Sequence, residues 1–549
     1  MKSRFPRSLL FFAATAAVFV LQLLPLTGVF LMFMLAAYWS VLLINAGMIG
    51  VAVEAAIGRV SRWWLVLPLL FYGGYWAAVT MDHIALRSVA SEYQAANARV
   101  TIPFDPDNHS LVFDDHDDTE WLIRNYDLPV AYNFNRNFPE EHRSHRLVDT
   151  STCNKIRGIR GAYAARVRAS VFYEGEDSLG RKPEERFCIL SMPERPNHPV
   201  LRVSEHEEKE YKNRLPINRL TTSITMPDGQ HFELSGGFAA PLSWFPRPVM
   251  GCGLNSAAAK WECAAQFWRK GFTPIIEGDT RFRRDAALLA HALGLNSISL
   301  ADRDGADQNL VLARAAAITD TTLARQLADI DAILADRPDD VVDWDVDVVV
   351  RRPETLTPRA HAIVAGLERA AANTEEDGRQ VRRGGKILAR LVASLRDEEF
   401  LEFGSRILAV YGEADREHWL WDVRVLMPRL GDLGMEALPV LVDGRALDRS
   451  SSRPAIEGIC RVGVPGRAMA GPVLLDIWTK SRDSADLRKR TWLYVTMRRL
   501  GMSPPPLLED ERNQFDRLQD KWGDVSPQSQ SSVCAFRSDL RAQRNRKSK

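Results

Sequence analysis

The longest uncharged stretch of the chain runs from Leu9 to Val53, and it decides where the rest of the protein can lie. One membrane-spanning helix needs about 20 apolar residues, so this stretch is long enough for two spans. Pro25 to Gly28 supplies the proline and glycine at which a chain can reverse. A further apolar stretch begins at Trp63 and ends before Asp82. The sequence therefore predicts a membrane anchor of three transmembrane helices in residues 1–81.

Basic residues around these spans predict their orientation. The first span and the third are each preceded by basic residues: Lys2, Arg4, Arg7, Arg59 and Arg62. The turn at residues 25–28 has none, so the positive-inside rule places the N-terminus and the 59–62 loop in the cytoplasm. An odd number of spans then sends everything after residue 82 to the other side. If residues 5–28 were instead a cleaved signal peptide, the soluble part would still lie outside.

Charge and composition narrow the class of protein. The chain has 71 Lys and Arg against 70 Asp and Glu, and 46% of its residues are hydrophobic. A clear basic excess is typical of nucleic-acid binding, so we expect no nucleic-acid partner, and the hydrophobic content excludes dominant disorder. Arginine greatly outnumbers lysine, which favours a GC-rich bacterial source. We therefore expect a bacterial inner-membrane protein with periplasmic soluble domains.

All the cysteines follow the predicted anchor, in the part expected to lie in an oxidising compartment, where disulfides form. Cys252 and Cys263 are the first predicted pair, in which a loop around Gly251 is joined to a helix starting near Ser256. Cys153 and Cys188, in neighbouring strand-like segments, are a possible second pair. A zinc site would need closely spaced pairs such as C-x2-C, and the sequence has none.

The soluble part divides by composition into a β-rich region and a helical one. Residues 82–250 predict a juxtamembrane helix, to about Arg99, and then a mainly antiparallel domain of sandwich or barrel type. Its strongest signal is the hairpin turn at Asp228-Gly229, which has alternating strands on both sides. Residues 251–525 predict an α-helical domain, with a short strand at Val346 to Val350 as an exception. Residues 526–549 are rich in Ser, Gln and basic residues, and they predict a disordered tail.

Self-similar segments in the helical region start at Arg429-Leu430-Gly431, Arg461-Val462-Gly463 and Arg499-Leu500-Gly501. The pattern resembles HEAT-type helical repeats, and the resemblance covers residues 378–506 in degenerate form. It implies a stack of helices whose surface binds another macromolecule. An irregular helical bundle with chance similarity is the alternative.

Searches for catalytic motifs find no G-x-S-x-G, H-E-x-x-H, Walker A or S-x-x-K sequence. The weak candidates for a metal site are an acidic run and two histidines: Asp114, Asp115, His116, Asp117, Asp118, His142 and His145. A solvated loop is the plain interpretation of the acidic run, whereas the histidines, three apart, could share a helical face. We assign no catalytic residue and expect no cofactor.

Two fragments resemble calcium loops. Asp343, Asp345, Asp347 and Glu354 match the liganding positions of an EF-hand, but Val348 occupies the position that requires glycine. The alternation around it predicts a strand with the carboxylates on one face. Residues 302–307 form a second, equally incomplete fragment.

Taken together, the sequence predicts a membrane-anchored α+β protein with an extracytoplasmic binding or scaffolding role and another envelope protein as its partner. An envelope hydrolase or metal-dependent enzyme, with its site in residues 105–150, is the alternative.

Overall fold

The computed structural model describes residues 5–114, 116–135, 138–174, 182–183, 185–212, 214–255, 260–271, 273–276, 286–303, 305–372, 379–412, 419, 422–447, 452–481, 487–509, 511–513, 515–516 and 525–536. It divides into two compact units. The first comprises residues 1–153 and 169–308, and the second comprises residues 154–168 and 309–549.

The helices of the first unit are α1 Leu9–Leu23, α2 Pro25–Phe33, α3 Trp39–Ala56, α4 Val66–Asn97, α5 His116–Asn125, α6 Thr150–Gly158, which continues into the second unit, and α7 Ala286–Ala292. Its strands are β1 Ser110–Phe113, β2 Ala131–Asn135, β3 Phe138–Asp149, β4 Arg168–Ser170, β5 Tyr173–Glu174, β6 Lys182–Pro183, β7 Phe187–Pro193, β8 Val200–Lys212, β9 Leu215–Thr225, β10 His231–Ala239, β11 Pro248–Asn255, β12 Lys260–Phe267 and β13 Thr273–Pro274.

Two helical segments are long and apolar enough to cross a membrane, Ala36–Ala56 and Arg62–Asn97. A third candidate is the pair formed by α1 and α2, which is bent by 118° at Leu24. The chain thus turns near Pro25 as the sequence predicts, but it enters a separate short helix there, and the next long helix starts only at Trp39. The structure shows two candidate spans where the sequence predicts three.

The first and third helices are antiparallel, and Glu54 holds their ends together. The Glu54 carboxylate accepts hydrogen bonds from the backbone N–H of Arg7 at 2.8 Å and of Ser8 at 3.0 Å, and from the Ser8 hydroxyl at 2.6 Å. The first N–H groups of a helix have no partner within it, and Glu54 supplies one for α1. Residues 7–8 and residue 54 therefore lie at the same end of the helical pair.

The soluble part of the first unit is built on one nine-stranded mixed sheet, in the order β13-β10-β9-β8-β1-β2-β3-β7-β4. The central strands β8, β1 and β2 are parallel, and α5 connects β1 to β2. The predicted sandwich or barrel is wrong, because the sequence pattern shows alternation within strands but not the long-range order of strands. The predicted hairpin is correct: β9 and β10 pair antiparallel around Gly229, whose φ is +88°.

The long helix α4 extends from the apolar segment into the soluble sheet, as the predicted juxtamembrane helix does. Its last turns pack Val89 and Tyr93 against Leu215 and Ile217 of β9. Asn97 then exchanges two hydrogen bonds with the backbone of Ser235 on β10, at 2.8 and 2.9 Å. One continuous helix therefore joins the candidate span to the sheet.

The predicted helix after Ser256 is wrong. Cys252 and Cys263 face each other in the antiparallel hairpin β11–β12 and form a disulfide. Cys153 on α6 and Cys188 on β7 form a second disulfide, and Cys460 and Cys534 a third that the sequence did not predict. Their separation of 74 residues gives no local signal.

The second unit is helical, with α8 Gln308–Leu334, α9 Asp347–Val350, α10 Ala360–Ala372, α11 Arg379–Ala393, α12 Asp397–Glu402, α13 Gly404–Gly412, α14 Met427–Leu430, α15 Leu438–Leu441, α16 Gly444–Leu447, α17 Ser452–Val462, α18 Arg467–Lys480 and α19 Leu487–Arg499. One continuous core of aliphatic and aromatic side chains runs from Ile330 to Phe536. The strand predicted at Val346 to Val350 is wrong, since the segment forms the short helix α9, with Val348 and Val349 buried. Residues 251–276, predicted as helical, belong to the first unit.

Part of the predicted disordered tail is folded. Residues 525–536 pack on α17, with Val533 and Phe536 buried and Cys534 bonded to Cys460. The buried Glu457 carboxylate accepts the Phe536 backbone N–H at 2.8 Å. Residues 537–549 lie outside the described part of the chain. The prediction of disorder rested on the polar composition of the segment and overlooked the apolar residues Val533 and Phe536 within it.

Candidate functional site

The acidic run lies where β1 ends and α5 begins. In sheets with parallel strands, ligands bind at the carboxyl ends of the strands, near the point where connections diverge, so this is the natural place for a site. Asp114 directly follows β1, and its carboxylate pairs with Arg202 of β8 at 3.2 Å. Asp115 and the side chains of His116, Asp117 and Asp118 lie outside the described part.

The Phe134 ring of β2 lies between Arg202, the partner of Asp114, and His142. The Arg202 guanidinium lies 4.9 Å from the centre of the Phe134 ring, and the His142 ring lies 4.7 Å from the same centre. Burial, together with the charge of Arg195, lowers the pKa of His142, which favours its neutral form. Asp114 is thus engaged by an arginine, and the described groups form a stacked layer rather than a converging set.

His142 and His145 do not share a site. Both lie on strand β3, where residues an odd number apart point to opposite faces of the sheet. His145 is fully buried on the α5 face, with Nε2 3.0 Å from Asn133 Oδ1 and Nδ1 3.8 Å from Glu120 Oε1. The shared helical face is therefore wrong. Among the described residues, no group of three or more His, Cys, Asp or Glu side chains could hold a metal ion.

The carboxylates of the calcium-like fragment accept backbone hydrogen bonds and form ion pairs within the fold. Asp343 Oδ1 accepts the backbone N–H of Asp345 at 3.1 Å, and Asp345 Oδ1 accepts that of Asp347 at 3.0 Å. Asp343 and Asp347 also pair with Arg325 and Arg390. These turns lead into α9, so the predicted arrangement of three carboxylates on one strand face is absent. Burial raises the pKa of Asp345.

The second unit has a repeated contact that the sequence pattern only partly indicated. Arg429 reaches back to α12, where it pairs with Asp397 at 3.0 Å and lies 4.5 Å from the Phe400 ring centre. We call each successive group of packed helices a layer. In the next layer, near the end of α17, Arg461 pairs with Asp432 at 2.9 Å. Each arginine thus connects its layer to the one before it.

Arg499 stands at the matching sequence position in the following layer, but its contacts are of another kind. Its Nη1 lies 3.6 Å from the position that a Cβ on Gly463 would occupy, and it donates to the Pro527 carbonyl. A glycine follows two residues after each of Arg429, Arg461 and Arg499. This spacing was the sequence signal from which these contacts could have been found. We name the three residues the arginine ladder.

The glycines of the pattern differ in conformation. Gly463 and Gly501 have φ of +71° and +72°, and the matching residue in the earlier layer is Gly434, with φ of +70°. Gly431 is helical instead, and it lies so close to the Gly458 carbonyl that a side chain would collide with it. By conformation Gly434 therefore matches Gly463, whereas the arginine ladder follows the sequence spacing, so Arg429 and Arg461 stand at different distances from these two turns.

Exposed apolar side chains follow two of these turns. Met435 is 43% exposed directly after Gly434, and Val464 is 48% exposed directly after Gly463. Because Arg461 joins the two turns through Asp432, these side chains belong to adjacent layers. We name Met435 and Val464 the apolar row. Comparison with protein-family models, with curated protein sequences and with solved structures finds no match for this chain.

Proposed function

We propose that this chain is an integral protein of a bacterial inner membrane whose extracytoplasmic units bind another envelope protein. The candidate spans and the three disulfides support this location, because disulfides persist in oxidising compartments and are rare in the cytosol. All three predicted spans are part of the proposal, with the bent pair α1–α2 as the first.

The arginine ladder is the observation that carries the binding role. Contacts that recur from layer to layer are typical of helical repeat proteins, where each layer touches only its neighbours and the stack offers a long surface to partners. We therefore propose that α11 to α19 form a degenerate HEAT-like array. The apolar row is its binding surface, since a methionine side chain adapts to partners of varied shape.

The test is photo-crosslinking in intact cells with the full chain, using a photoreactive residue at position 464. We expect one envelope protein to be captured. The substitution Met435→Asp in the same chain should abolish the capture, because a carboxylate would have to be desolvated at the contact. Leu401→Asp is the matched control, since Leu401 is 52% exposed in the same unit and outside the apolar row. Equal capture in both variants would reject the apolar row as the binding surface.

A further inference from the structure

The helix α1 is too short to cross a bilayer unaided. Its 15 residues extend about 22 Å at 1.5 Å per residue, against a hydrocarbon core of about 30 Å. The chain then turns sharply into α2, whose exposed side chains are apolar except for Thr27. Leu26, Phe30 and Phe33 are 89%, 67% and 77% exposed. Such a helix is stable only if lipid or protein covers this face.

The hairpin β11–β12 lies beside α2. Trp261 of β12 donates from Nε1 to the Gln22 carbonyl at 3.1 Å, and its ring lies against Gly28. At the base of the hairpin, the Phe267 ring centre lies 4.9 Å from that of Tyr75. Tyr75 precedes Asp82, the predicted outer end of the span, by about two helical turns, or roughly 10 Å.

Side chains of the apolar helices bond three backbone groups on the free edge of β11. The Ser40 hydroxyl accepts the Met250 N–H and donates to the Pro248 carbonyl, both at 2.9 Å. Gln22 Oε1 accepts the Cys252 N–H at 3.0 Å. Within a bilayer an unpaired backbone group costs several kcal/mol, so open strand edges do not occur there. The buried Ser40 and Gln22 side chains thus lower the cost of placing this part of the strand edge within a bilayer.

Aromatic residues mark the boundary above the hairpin. Trp244 stacks on His83 with ring centres 4.7 Å apart, just beyond Asp82, and is 68% exposed. Phe245 beside it is 51% exposed. Tryptophan is enriched at the membrane–water interface, where one end of its ring is wet.

We propose that α2, the hairpin β11–β12 and the loop at Trp244–Phe245 form a re-entrant element that inserts into the outer leaflet and contacts lipid directly. This inference rests on the proposed membrane anchorage. The occupant of the exposed face is phospholipid of the same bilayer, because the face continues the apolar surface of the candidate spans at the same depth. The outer edge of β12 pairs with no described strand and carries Glu262, so the proposal places this edge among the hydrated headgroups, where water can bond it.

The test uses the full chain in nanodiscs of phosphatidylethanolamine and phosphatidylglycerol. A photoreactive benzoylphenylalanine replaces one residue at a time, and mass spectrometry identifies the adducts. We expect phospholipid adducts at Phe30, Leu254 and Phe267. Tyr211 on β8 is the matched negative control, being 79% exposed in the soluble sheet, and it should give none. Leu254 and Phe267 provide two independent hairpin positions if one variant fails to fold.

Leu70, which is 70% exposed on α4, distinguishes failure of the re-entrant element from failure of the proposed membrane anchorage. Adducts at Leu70 without adducts at Leu254 and Phe267 would overturn the re-entrant element and leave the anchorage intact. No adduct at Leu70 would overturn both. Crosslinks from the hairpin to a second copy of the chain, or to another protein, in place of lipid would also overturn the inference.

Discussion

Arg269 donates a hydrogen bond from Nη1 to Oδ2 of Asp82 at 2.7 Å, and the Asp82 side chain is only 6% exposed. The same carboxylate oxygen accepts the Leu242 N–H at 3.0 Å. Asp82 lies in the middle of α4, whereas Leu242 and Arg269 lie on the two chain segments that lead into and out of the hairpin β11–β12. One buried carboxylate therefore fixes the hairpin to the helix that joins the candidate span to the sheet.

Asp82→Ala is expected to lower the free energy of unfolding by about 3 kcal/mol, because the partly buried Arg269 loses its carboxylate partner and keeps only the Ala240 carbonyl, while the Leu242 N–H loses its acceptor. The measurement is thermal unfolding of the full chain in detergent. Glu92→Ala is the control on the same helix. Glu92 pairs with Lys212 but is 59% exposed, so its loss should change stability by less than about 1 kcal/mol. Equal effects of the two substitutions would show that Asp82 has no special role.

The sequence predicted the elements whose signals are local. The uncharged stretch, the helix from residue 82 and the hairpin at Gly229 could all be found from periodicity or turn chemistry. The order of strands in the sheet could not, because the parallel neighbours β8 and β1 are about 90 residues apart in the sequence. The segment after Ser256 reads as a helix by its alanines, but its pairing with residues 248–255 places it in a hairpin.

The candidate sites show the same limit. His142 and His145 were expected to share a face only if their segment were helical, and its pairing with β2 and β7 makes it a strand. Asp114 was visible as an acidic residue, but its partner Arg202 is distant in the sequence. The arginine ladder could be predicted only in part. The repeated Arg-x-Gly spacing is a local sequence signal, whereas the partners Asp397 and Asp432 are set by how the helices pack.

Removal of the disulfide between Cys460 and Cys534 is expected to destabilise the second unit more than removal of the hairpin disulfide destabilises the first. In the chain-entropy model, a loop of 74 residues is worth about 4 kcal/mol and one of 11 residues about 3 kcal/mol. The measurement is denaturant unfolding of the paired Cys→Ser variants. The Cys460 and Cys534 variant should also become sensitive to protease within residues 525–536, since the disulfide holds that segment on α17. Continued resistance there would show that Val533 and Phe536 suffice to hold it.

Glu457 and Asp331 are expected to give pH dependences of opposite sign. Burial raises the pKa of Glu457 above its ordinary 4.5. The folded state then binds this proton more tightly than the unfolded state does, so stability falls as the pH rises from 4.5 through the raised pKa. Glu457→Gln should remove this fall without loss of stability at pH 7, because glutamine can still accept the Phe536 N–H.

The Arg359 hydrogen bond lowers the pKa of Asp331 below its ordinary 3.8. The contribution of this carboxylate to stability is present above pH 3.8 and is lost as the pH falls through the lowered pKa. Asp331→Asn should therefore lose stability at pH 7 and show a weaker acid transition. Unfolding by urea between pH 3 and pH 8 checks both variants. A Glu457→Gln chain that is less stable at pH 7 than the unsubstituted chain would show that the charge of Glu457 stabilises the fold.

Reporter insertion tests the orientation of the anchor in the full chain. We expect alkaline phosphatase to be active when inserted at the exposed turn Asp228–Gly229, and inactive at Gly58. Glu54 holds the start of α1 beside the end of α3, so the proposed topology places residues 7–8 and the 57–61 loop on one side of the membrane. Helix α4 starts next to that loop and continues unbroken to Asn97, so a span in this helix would carry the sheet to the other side. A cytoplasmic fluorescent reporter should give the reverse pattern. An active phosphatase at Gly58 together with an inactive one at Gly229 would invert the orientation, and would then leave the three disulfides in a reducing compartment where they should not form.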